Sequence, residues 1–97
     1  MTNRQILKQI GQNVKAARLR ANLTQACLAE LAGVHWQTVS YIENGKYLCS
    51  IITFFRISQA LETSPNRLLD GLPEPDKAWQ DKIKKSLARK RKTHAGL

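Results

Sequence analysis

Acidic residues are scarce in this chain. Seven Asp+Glu stand against sixteen Lys+Arg over 97 residues, for a net charge of +9. Such a balance favours a polyanionic partner, nucleic acid first and an acidic membrane surface second. No apolar run approaches the ~18 residues of a membrane-spanning helix, and the N-terminus lacks the apolar core of a signal peptide. The expected setting is therefore cytoplasmic. Cysteine and histidine are almost absent: Cys27, Cys49, His35 and His94 fit no zinc spacing, and the cysteines read as free thiols. The few carboxylates are dispersed, and no Ser/His/Asp or Cys/His set forms, so catalysis, a metal and a cofactor are not expected. No stretch alternates apolar and polar residues as a strand would, and there is no internal repeat.

What remains is helical periodicity. Ile6, Ile10, Val14 and Ala17 recur at helical spacing and predict a first helix from about Asn3 to Ala21. Thr24 is a good N-cap for a second helix opening at Gln25, and Asn44-Gly45 ends a third. Ser50 caps a fourth helix, Ile51 to Leu61, with Phe54, Ile57, Ala60 and Leu61 as its buried stripe. Ser64-Pro65 predicts a short fifth helix anchored by Leu68 and Leu69 and closed by Gly71. Pro73 and Pro75 mark a boundary, giving a domain at 1–72 and a basic tail at 73–97. The tail has eight basic and three acidic residues, the domain eight and four. Trp79, Ile83 and Leu87 fall four apart, so the tail is either an amphipathic helix or disordered.

The segment Gln25 to Asn44 carries the function. Leu28, Ala29 and Ala32 share one face of its first helix, Val39 and Ile42 one face of its second, with Val34 plugging the turn. Gly33 stands where the chain reverses, and Ala29 is small where the helices cross. That is the pattern of a helix-turn-helix, whose second helix fits a DNA major groove. From about Ile10 to Asp70 the chain resembles the Cro and phage-repressor family, also called the xenobiotic-response-element family. The resemblance rests on Leu23-Thr24-Gln25, Leu28-Ala29, Ala32-Gly33-Val34, Thr38-Val39-Ser40, Ile42 through Lys46, and Thr53 through Leu61. It implies an all-α, five-helix, lambda-repressor-like domain with a basic C-terminal extension.

The resemblance also implies residue roles. Gln25 would meet a DNA phosphate at a helix N-terminus, and Asn44 and Lys46 would meet the backbone from the loop after the recognition helix. Trp36, Gln37, Ser40 and Tyr41 would face outward to the bases, Gln37 being suited to adenine because its amide both donates and accepts. Trp36 departs from the family's usual polar residue. It either packs on sugar edges or thymine methyls in the groove or folds back over His35 or the surface of the second helix to cover the core. Arg18 and Glu43 match positions that form an internal ion pair in many members. Leu48, Ile51, Ile52 and Phe55 make an apolar run suited to a homodimer interface.

The reading that follows is a dimeric, sequence-specific regulator of transcription, most simply a repressor, working at the nucleoid of a bacterial or phage-infected cell. Two alternatives remain open: an antitoxin carrying a toxin on another surface, and an interaction module that keeps the fold without binding DNA.

Overall fold

Short polar side chains start the helices. The computed structural model describes residues 2–47, 49–72 and 77–94. Thr2 opens α1 (Asn3–Arg20) with a capping box: its hydroxyl accepts from the Gln5 N–H at 3.2 Å, and the Gln5 side chain accepts from the Thr2 N–H at 2.8 Å. Thr24 opens α2 (Gln25–Ala32), accepting from the Cys27 N–H at 3.0 Å. Ser50 opens α4 (Ile51–Ala60), accepting from the Thr53 N–H at 3.1 Å. Each such cap stabilises by about 1 kcal/mol. Among these four helices α3 (Trp36–Glu43) lacks one, because His35 makes no side-chain bond to it.

The helices α1 to α4 end by one device, a left-handed residue followed by an N–H that reaches back across the last turn. Leu23 donates to the Arg18 carbonyl, Val34 to Ala29, Lys46 to Tyr41 and Thr63 to Ser58, at 2.9–3.1 Å. The left-handed residues are Asn22, Gly33, Gly45 and Glu62.

α1 packs on α3, and α2 packs on both α3 and α4. Val14, Leu28, Val39, Ile57 and Leu68 meet in the centre, none more than 1% exposed. Each contributes roughly 1.5–3 kcal/mol by leaving water. Gly11 lets α1 lie directly on the end of α3. A Cβ there would overlap the Ile42 carbonyl oxygen and stand 2.8 Å from that of Glu43.

The expected fifth helix is a single 3-10 turn, Arg67–Leu69. Its N–H groups reach back three residues, from Arg67 to Ser64, Leu68 to Pro65 and Leu69 to Asn66. Asn13 of α1 clamps it, donating to the carbonyls of Leu68 at 3.0 Å and Asp70 at 2.7 Å. Successive residues of such a turn point about 120° apart, so two adjacent leucines cannot both face inward. Leu68 is buried, whereas Leu69 is 39% exposed and not the core anchor expected of it.

The tail forms α5 (Lys77–His94), on which Trp79, Ile83 and Leu87 are substantially exposed and Lys82 stands 5.9 Å from the Trp79 ring centroid. Pro73 and Pro75 lie outside the described residues. Among those residues every regular element is helical, and no helix is long and apolar enough to cross a membrane.

Candidate nucleic-acid interface

α2 and α3 are joined by residues 33–35, and α3 turns one face in and one face out. Val39, Ile42 and Glu43 are buried, while Trp36, Gln37 and Tyr41 are exposed and Ser40 is half-buried. An eight-residue helix has room for about two turns, so the buried set fixes which side chains project. Trp36 is half-exposed, and its ring lies beside that of His35 with the centroids 6.4 Å apart.

A buried polar cluster holds α3 at this angle. Arg18 Nε donates to Glu43 Oε2 at 2.7 Å and its Nη2 to Oε1 at 3.0 Å, a two-pronged ion pair between α1 and α3. Arg18 Nη1 donates to the Leu23 carbonyl at 2.9 Å. Gln25 Nε2 donates to Glu43 Oε1 at 3.2 Å, joining the start of α2 to the same carboxylate. The hydrogen bond that Arg18 donates to Glu43, with the carboxylate's charge, raises the Arg18 pKa against the opposing effect of burial. The Gln25 amide nitrogen is therefore engaged inside the domain, and the side chain is half-buried.

Asn44 folds back on α3, donating to the Ser40 carbonyl at 2.8 Å, while Lys46 is exposed on the loop beyond. An open cleft lies where this loop meets the first turns of α1. Arg4, Leu7 and Lys8 line one side and Asn44, Gly45 and Lys46 the other. Sequence reading gave Arg4 and Lys8 no role, because nothing in the pattern of α1 places its N-terminal turns beside residue 46.

Ile51, Ile52 and Phe55 are 83%, 62% and 51% exposed on α4. Beside them a cavity of about 280 Å³ opens between Leu7 and Ile10 of α1 and Ile51 and Phe54 of α4. Leu48 lies outside the described residues. Cys49 borders this cavity, and burial pushes its thiol pKa up.

Residues 14–68 match the HTH_3 family, described as helix-turn-helix. The chain belongs to that family. HTH_3 proteins are DNA-binding regulators of transcription, and the helix pair α2–α3 is the element for which the family is named. Among solved structures the chain is similar to the restriction-modification controller protein C.AhdI from Aeromonas hydrophila. The identity is 29% and the TM-score 0.63, over 64% of this chain and 94% of that one. It is also similar to a chain of the SinR protein/SinI protein complex, at 31% identity and TM-score 0.62, over 80% of this chain and 78% of that one. An HTH_3 family transcriptional regulator from Vibrio cholerae is 28% identical with TM-score 0.65. That match covers 69% of this chain, which spans only 38% of the Vibrio protein. No curated protein matches the sequence significantly.

Proposed function

We propose that this HTH_3 protein is a homodimeric, sequence-specific repressor that reads an inverted-repeat operator through α3. The observation that carries the reading is the outward face of α3. Trp36, Gln37 and Tyr41 project from a helix anchored from behind by Val39, Ile42 and the Arg18–Glu43 pair. Gln37 reads a base, Trp36, Ser40 and Tyr41 border it, and Gln25, Asn44 and Lys46 set register on the phosphates. The apolar run Leu48, Ile51, Ile52 and Phe55 joins two copies. Their recognition helices then enter half-sites about one helical turn apart, ~34 Å. The resemblance to a restriction-modification controller supports a small regulator, and binding an operator would put its work in the cytoplasm, at the nucleoid.

The test is selection from a random duplex pool at near-physiological salt. Enrichment of an inverted repeat with that spacing supports the reading, and a folded protein that enriches nothing refutes it. A second reading is an antitoxin whose toxin occupies the exposed α4 face. Its mark is a protein that co-purifies in fixed ratio and is lost on Phe55→Glu.

A further inference from the structure

Three cations that form no ion pair among the described residues converge on one cleft. Arg4 and Lys8 are four residues apart and so share a face of α1, and Lys46 faces them from the loop after α3. The cleft has a volume of about 810 Å³, and among the described residues no carboxylate lines it. All three cations are exposed, and among those residues none of them forms an ion pair. Their proximity is built into the backbone. Gly45 sits against α1 so closely that a Cβ on it would stand 2.8 Å from the Lys8 Cα. At the other end, the Thr2–Gln5 capping box fixes the turn that carries Arg4.

Like charges held together repel, and the repulsion is relieved when an anion enters between them. The cleft continues the surface of Asn44 and Lys46 at the C-terminal end of α3. A duplex that takes α3 into its major groove must carry one phosphodiester strand past that end. We infer that Arg4 and Lys8 grip the DNA sugar-phosphate backbone together with Lys46, so that α1 supplies a second backbone anchor beside the recognition helix. This rests on the DNA-reading role of α3 proposed above. The anchor adds affinity and register without adding base preference.

The experiment is a salt titration of binding, by fluorescence anisotropy, to the selected motif duplex and to an unrelated duplex. It compares the wild type with Arg4→Ala/Lys8→Ala, and with Arg20→Ala as control. Arg20 lies sixteen residues beyond Arg4, on the far side of α1 at about 100° per residue. Each phosphate contact contributes about 0.9 to the slope of log K against log salt, so the double variant should lose between about 1 and 2 in slope. Its preference for the motif over the unrelated duplex should stay at the wild-type ratio, and Arg20→Ala should keep the wild-type slope. Arg4→Lys/Lys8→Arg should restore it. A double variant with wild-type slope overturns the inference. So does a loss of affinity that tracks a lowered melting temperature and is not rescued by the charge-preserving pair, since the cations then serve the fold. A wild type that prefers no motif overturns the reading of α3 instead, while the slope on the unrelated duplex still decides the cleft.

Discussion

Glu43→Ala should be among the most damaging single substitutions in the domain. The carboxylate is 2% exposed, accepts twice from Arg18 and once from Gln25, and sits where α1, α2 and α3 converge. Removing it leaves the Arg18 guanidinium, itself 10% exposed, without its counter-charge. Breaking a buried pair on one side costs about 3–5 kcal/mol. For a domain of this size each kcal/mol moves the melting temperature by roughly 4–8 °C, so a fall of at least about 12 °C is expected. The larger cost belongs to the orphaned charge and not to the lost attraction. Arg18→Met/Glu43→Leu should therefore recover most of the loss. A residue of about 1 kcal/mol should persist, because the Leu23 carbonyl loses a donor and Gln25 an acceptor. Thermal unfolding followed by circular dichroism on the three proteins decides it. A fall below about 4 °C for Glu43→Ala would mean that the pair behaves like an exposed surface bridge. A double variant no better than the single would mean that the orphaned charge is not the cause.

Four further outcomes follow from the geometry. Gly11→Ala should destabilise by about 1–3 kcal/mol or more despite the better helix propensity of alanine, since its Cβ meets backbone and not a movable side chain; an unchanged denaturation midpoint would refute the seam. Gly33→Ala and Gly45→Ala both strain a left-handed residue by about 1–2 kcal/mol. Only Gly45 also meets a neighbour, the Lys8 backbone, so its variant should melt lower than that of Gly33. Burial raises the Cys49 pKa from its ordinary 9.0, so the folded state holds that proton more tightly. Stability is then intact below the ordinary value and falls as pH rises through the folded one; Cys49→Ala should lose less stability between about pH 8 and about pH 10 than the wild type, read from urea midpoints. Gln37→Ala should relax preference at one operator position at a cost of about 1–3 kcal/mol, whereas Lys46→Ala should weaken every duplex alike and flatten the salt slope by about 1. Uniform loss from both would remove Gln37 as a reader.

The helices themselves were legible because apolar spacing and caps speak locally: Thr24, Ser50, Gly33 and Gly45 each announce a boundary that the chain obeys. Asn22 also marks the break after α1, being a residue type that accepts a left-handed backbone, whereas the turn at Glu62 carries no such signal, since glutamate gives no hint of one. Ser64-Pro65 misled for a tertiary reason. The helix it announces is cut to one turn where Asn13, fifty-five residues away from Leu68, takes the carbonyls of Leu68 and Asp70. Gly11 reads in isolation as a weak spot in α1, and only the crossing with α3 gives it a purpose. The cleft of Arg4, Lys8 and Lys46 is hidden for the same reason, because it exists only where two distant segments meet. The outward face of α3 could be read as a set of residues from the burial of Val39 and Ile42, but which base each would meet on the proposed reading is written in the DNA as much as in the protein.

The seam at Gly11 has a bearing on how such a protein changes its target. α3 is aligned on α1 through its own main-chain carbonyls, at a place where α1 offers only a hydrogen atom. Main-chain atoms are the same whatever side chains α3 carries. Residues 36, 37, 40 and 41 can therefore be exchanged without disturbing the angle at which the helix is presented. On the proposed reading of α3, specificity becomes a replaceable inscription on a fixed mount, and descendants of one such gene could part ways in the operators they recognise while their frames stay superimposable.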